Sequence, residues 1–151
     1  MQASTIALVR DTWAQAAALG PQVGALFYAH LFAADPALQP LFKGDMAQQG
    51  ARLVQMIDAA VGRLDDPGAL LPVLQALGRR HAGYGVLPAH YQTVGASLLA
   101  TLQQGLGAGF TPAVQAAWTE VYGVVAGVML EAAGSPDAAP ANTSVNTAAA
   151  T

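Results

Sequence analysis

The chain has 151 residues, 54% of them hydrophobic and only 10% charged. That length fits one domain with a full core, and the composition is the opposite of a disordered chain's. Net charge is −3, and the six basic residues, at 10, 43, 52, 63, 79 and 80, form no contiguous stripe to neutralise phosphates, which argues against nucleic acid as a partner. Cysteine is absent, so disulfides, thiolate nucleophiles and cysteine-ligated zinc or iron–sulfur clusters are excluded together.

Proline and glycine punctuate the chain, and between them apolar residues recur at three and four, the period of helices rather than strands. The opening "MQASTIALVRDTW" has no basic region followed by an apolar run, and the longest uncharged apolar stretch, 121–130, is about half a membrane-spanning helix. The expectation is a soluble, cytoplasmic protein with no membrane partner. A first helix is expected over 5–18, capped by Ser4 and ended by "LGP". Pro21 opens a second, with Phe27, Tyr28, Leu31 and Phe32 on its buried face. Asp35 and Pro36 start a short third helix through Phe42. A fourth, over 46–64, carries Leu53, Ile57, Ala60, Val61 and Leu64 on one face, and Asp66-Pro67 restarts the chain for a segment ending at His81. Two longer helices follow, over 88–105 with Tyr91, Val94, Leu98 and Leu102, and over 112–133, behind Thr111, with Val114, Trp118, Val121, Val125 and Val128. The domain is expected to fill 1–133. Residues 134–151, small, polar and Pro-containing, read as a disordered C-terminal tail.

Without cysteine, a metal or haem iron would need His, Met, Tyr or carboxylate ligands. The three histidines, His30, His81 and His90, include no pair spaced for zinc on one helical turn. A single axial ligand needs only one imidazole. Leu70, Leu74 and Leu77 precede His81 at steps of four, three and four, so its ring emerges from the apolar face of its helix. On that pattern alone a core histidine bonded to a carbonyl remains the better-supported alternative. Phe42 and Tyr28 similarly fit core aromatics, the latter with a tethered hydroxyl. His30 and His90 read as surface or interhelical residues.

Residues 5–132 resemble a globin, most closely the single-domain bacterial globins related to flavohaemoglobin haem domains, and are also similar to neuroglobin. The segments "LGRRHAGYGVLPAHYQTVGASLL" and "FTPAVQAAWTEVYG" carry the resemblance. It implies an all-α globin fold, a three-on-three helical sandwich around one haem b, with His81 as the proximal ligand of the iron. The phenylalanine of "PLF", which packs on haem in the family, falls on Phe42. The distal tyrosine falls on Tyr28, in "LFYAHLF". The ligand-side residue of the long helix falls on Gln49, and Leu53 shares its face; the rival Gln48 has Arg52 one turn on, which belongs outside. Neuroglobin has a histidine there that can fill the sixth iron position, so Gln49 implies a five-coordinate ferrous haem. Arg52 resembles a propionate-neutralising position and Lys43 sits near the rim, though either can equally be a solvated surface cation. Tyr91 matches a proximal tyrosine, with helix packing as its alternative, and Val86 and Val94 complete the expected haem contacts.

Two departures bear on activity. The carboxylate that supports the proximal side in flavohaemoglobins is replaced by Ala133, and Glu131, two residues earlier, lies about 200° away round the helix. The electronic push through His81 is therefore expected to be weaker. Only six residues separate Phe42 from Gln49, a shorter connection than in neuroglobin. No reductase part is expected from these residues: "GLGAGF", at 105–110, is not GxGxxG and lies between helices.

The resemblance implies O2, NO and CO as ligands and three possible functions. One is a nitric oxide dioxygenase, in which ferrous-oxy haem and NO give nitrate, Tyr28 and Gln49 donate to bound oxygen, and a separate reductase supplies electrons. Another is a non-enzymatic O2 storage, transport or scavenging globin, which needs the same pocket. The third is a haem-free globin-like interaction module, disfavoured by the presence of both Phe42 and His81.

Overall fold

A computed structural model describes residues 1–42 and 44–134. Lys43 and residues 135–151 of the expected tail lie outside the described residues. Six α-helices carry the chain: α1 (Ala3–Ala17), α2 (Gln22–Ala34), α3 (Met46–Gly62), α4 (Pro67–Gly83), α5 (Pro88–Leu106) and α6 (Pro112–Ala133). Among the described residues there is no strand.

Helix starts follow the side chains that satisfy the first free N–H groups. Asp45 accepts from Ala47 N at 2.8 Å, Asp66 from Ala69 N at 3.2 Å and Thr111 from Val114 N at 3.2 Å. Helix α1 departs from expectation. It opens two residues early, Ser4 lies inside it, and the ladder begins from the Gln2 carbonyl, which accepts from Ile6 N at 3.1 Å with no side-chain cap. The inward stripe Ile6, Val9, Trp13 and Ala16 holds this end without one. Gly20, at φ +70°, ends the turn after α1, and α2 leaves at 102° to it.

The expected third helix is a 3₁₀ segment, Pro36–Leu41. Pro40 supplies no N–H within it, which leaves too few donors for a continuous α-ladder. Helix α3 stops at Gly62, two residues short of expectation, yet Leu64 is still buried. From α1, Arg10 donates to the Val61 and Gly62 carbonyls at 3.2 and 3.1 Å and pairs with Asp65 at 2.9 Å, so carbonyls orphaned at the end of α3 are satisfied by a distant side chain.

Helix α2 packs on α3 and α5, α4 on α6, and α1 on α3, α5 and α6. Two crossings need glycine. A Cβ on Gly24 would stand 2.6 Å from the Gly50 Cα, and one on Gly78 would collide with the Met129 backbone. These pairs therefore meet backbone to backbone. Helix α6 is long and apolar enough to cross a membrane by length and composition. It nevertheless supplies core, with Val114, Trp118, Val121 and Met129 buried. Trp118 donates to Thr12 Oγ1 at 2.9 Å and meets Trp13 edge-on, fixing α6 to α1.

Candidate cofactor pocket

Inside the helices lies a cavity of about 1150 Å³ of atom-free space, including its open mouth. Helix α2 contributes Phe27 and Leu31; α3 contributes Leu53 and Ile57; α4 contributes Leu74, Leu77 and His81; α5 contributes Tyr91 and Val94. Phe42 and Val86 close it from the connections. Apolar carbon dominates these walls, so any occupant must present two apolar faces.

His81 is 3% exposed, and its Nδ1 lies 2.9 Å from the Leu77 carbonyl one turn back. A carbonyl only accepts, so Nδ1 carries the proton and Nε2 the lone pair. An imidazole held this way is the usual form of a metal-ligating histidine, because the outer N–H bond fixes the tautomer and raises the basicity of the ligating nitrogen. The Val86 N–H donates to the His81 carbonyl at 3.0 Å, tying the following loop to this end of α4. Among the described residues no cluster of three or more His, Cys, Asp or Glu could hold a metal, so a metal here would rest on this one imidazole and a prosthetic group.

Across the cavity the aromatics form a block. Tyr28 stacks on Phe32 at 5.8 Å and meets Phe42 edge-on at 5.0 Å and Phe27 at 5.1 Å. Tyr28 is 4% exposed, and among the described residues its buried hydroxyl has no hydrogen-bond partner. Burial pushes its pKa well above the ordinary tyrosine value, only partly offset by the positive charge of Arg52. A buried hydroxyl with no partner costs roughly 1–3 kcal/mol and calls for a ligand or water. The Tyr91 hydroxyl, on the His81 side, is likewise buried without a partner.

The profile of the family described as Globin matches residues 25–129. Neuroglobin of Danio rerio is 34% identical over 136 residues, covering 81% of this chain and 86% of that protein. The chain belongs to the globin family. The family typically binds haem and supports haem-based O2 binding, and the residues here suit that group. This globin offers a deep apolar slot, a buried imidazole with its lone pair on Nε2, and two buried hydroxyls without protein partners.

The positions expected to contact haem divide in three. His81, Phe42, Leu53, Val86, Tyr91 and Val94 all line the cavity. Tyr28 and Gln49 are buried, at 4% and 1% exposure, but neither is in the wall. Tyr28 sits behind Phe27 and Phe42, and Gln49 one turn before Leu53 on α3. Both are expected on the ligand side of the pocket, and Tyr28 packs directly on Phe27 and Phe42, which line the cavity. Arg52 is exposed and outside the wall, with its charge reaching Tyr28, and Lys43 lies outside the described residues. The proximal departure is visible too: Glu131 is exposed, and Tyr122 donates to the Tyr91 carbonyl at 2.6 Å, not to its hydroxyl.

His30 bonds Gln104 at 2.9 Å across α2 and α5, an interhelical role as expected. His90 was missed as a pocket residue. It lines the cavity while partly exposed. Its position three residues after Leu87, just past a helix-opening proline, is the signal that its ring turns back toward the helix start.

Proposed function

We propose that this globin binds O2 reversibly at haem b, and that it oxidises nitric oxide to nitrate with electrons from a separate reductase, as a single-domain relative of flavohaemoglobin haem domains. The observation that carries the reading is the His81 tautomer. Its Nε2 lone pair belongs to a ring whose other nitrogen is committed to the Leu77 carbonyl. Haem, when bound, supplies an iron centre that takes O2 and can deliver it to nitric oxide.

The other residues act on what enters the pocket. Phe42, Leu53 and Val94 exclude water, which strengthens any hydrogen bond formed inside. The raised pKa of Tyr28 keeps its hydroxyl protonated across the physiological range, so it can donate to a ligand that gathers negative charge. Gln49 is buried one turn before Leu53 and carries an amide that does not titrate, so its chemistry suits the same donor role. Overall, NO, O2 and one electron give nitrate, so each turnover draws one electron from the reductase.

A second reading, a non-enzymatic O2 storage or scavenging protein, is favoured by the Tyr91 side. Among the described residues its hydroxyl has no carboxylate partner, and Glu131 faces solvent, so neither group supplies the proximal carboxylate of the flavohaemoglobin pattern. The first test is the ferrous absorption spectrum before and after O2. A broad single band that splits in two supports the five-coordinate, oxygen-binding reading. Stopped-flow mixing of the oxygenated protein with NO then separates the two functions. Consumption faster than spontaneous O2 release supports the enzyme, and consumption at the release rate leaves the storage protein. A chain that takes up no haem on titration would be an interaction module instead.

A further inference from the structure

The polar groups in the cavity wall are few, and all but one are already engaged or fully buried. His81 is assigned to the metal. The Trp118 indole donates to Thr12, the Tyr122 hydroxyl to the Tyr91 carbonyl, and the Tyr91 hydroxyl is deep in the wall. The remaining one is His90, on the first turn of α5, which both lines the cavity and reaches solvent.

Its ring has a defined polarity. The Leu87 N–H donates to His90 Nδ1 at 3.0 Å, while the His90 backbone N–H donates to the Leu87 carbonyl at 2.9 Å. A ring nitrogen that accepts an N–H carries no proton, so the ring proton is on Nε2, and the free edge of His90 is a donor. Haem is amphipathic. Its apolar faces match the cavity, but its carboxylate edge must stay at a wet, donor-bearing part of the wall, because burying an unpaired carboxylate is costly.

Resting on the haem reading above, we infer that His90 is a cofactor-binding residue whose Nε2–H holds a haem carboxylate at the pocket mouth. One imidazole thus caps a helix with one nitrogen and orients the cofactor with the other.

The test compares haem with its dimethyl ester, which lacks the carboxylate charges, in the full chain and in His90→Glu and His90→Gln. Glutamate and glutamine at this third helical position can both reach back to the Leu87 N–H, so the cap survives. Glutamate lacks the donor and adds a negative charge; glutamine keeps an N–H. Release of each cofactor to an excess of a haem-scavenging apoglobin is timed, together with the melting temperature of each haem-free chain. The native protein should retain haem about tenfold longer than its ester, the effect expected of one hydrogen bond to a charged group. In His90→Glu that preference should vanish or invert with the haem-free melting temperature unchanged, and His90→Gln should recover part of it. An equal haem-to-ester ratio in the native chain and His90→Glu would overturn the inference while leaving the haem reading intact. Failure of the native chain to hold either cofactor would overturn both.

Discussion

The two walls of the pocket solve the problem of a buried polar group in opposite ways. On the α4–α5 side, His81 is fixed by its own helix through Leu77, the helix is held against α6 by the Gly78–Met129 approach, and Val86 ties down the next loop. On the α2–α3 side, Tyr28 makes ring contacts with Phe27, Phe32 and Phe42, and among the described residues its hydroxyl has no partner. The first wall holds its imidazole in one geometry, although its Tyr91 hydroxyl, like that of Tyr28, lacks a partner among the described residues. The second keeps an unsatisfied donor close to the cavity, and that unmet hydrogen bond is what a ligand can supply. A site that binds a permanent group and an exchanging one needs this asymmetry.

The largest effect should come from the fixed wall. His81→Gly removes the ligand and should abolish stoichiometric, five-coordinate haem binding, and added imidazole should restore the ferrous spectrum by filling the vacated space. The glycine itself costs only about 1 kcal/mol of helix propensity. If His81→Gly without imidazole keeps the native spectrum, the assignment of the two walls is reversed.

Next in size is Tyr28→Phe, whose effects should differ in sign between the two states of the protein. With haem and O2, loss of a donor to a charged ligand should speed oxygen release about 10- to 100-fold, read by stopped flow. In the haem-free chain, deletion of an unsatisfied buried hydroxyl should leave stability unchanged or raise it by up to roughly 1–3 kcal/mol, read by denaturant unfolding. Unaltered oxygen release would make Tyr28 a purely structural member of the aromatic block.

Gly78→Ala should then destabilise the fixed wall. Its methyl has no room against Met129, so overpacking of about 1–3 kcal/mol should outweigh the propensity gain of roughly 1 kcal/mol. Denaturation of the haem-free protein gives the sign, and a stabilised variant would show that α4 and α6 can separate freely.

The smallest effect is alkaline. Burial raises the pKa of Tyr28, Tyr91 and Tyr122, with Tyr28 partly offset by Arg52 and Tyr122 raised further by Tyr91. These groups keep their protons when folded after the unfolded chain, near pH 10, has lost them. Stability should therefore be level up to about pH 9 and fall as pH rises through and beyond 10. Tyr122→Phe should shallow that fall, and an unchanged slope would mean that this hydroxyl is solvated.

Much of the fixed wall was legible in the sequence because its logic is local. The stripe Leu70, Leu74, Leu77, His81 lies on one helix, and the 3.6-residue period alone turns all four inward. The other wall was less legible. That Tyr28 packs on Phe27 and Phe42 depends on ring packing between α2 and the segment before α3, which no spacing reveals. Ser4 lies inside α1 rather than capping it because a capping residue type is only a preference, and the inward stripe that begins at Ile6 anchors the helix without a side-chain cap.

By itself, then, the sequence determined the six helices, their apolar faces, the absence of thiol chemistry and the histidine that ends the α4 stripe, since each is a property of neighbouring residues. The tertiary structure decided what depends on the helix crossings. Gly24 against Gly50 and Gly78 against Met129 set how closely the walls approach. The same packing brings Arg10 to the end of α3 and His90 to the pocket mouth. A periodicity says which way a side chain points from its own helix, but what it meets there is set by a helix tens of residues away.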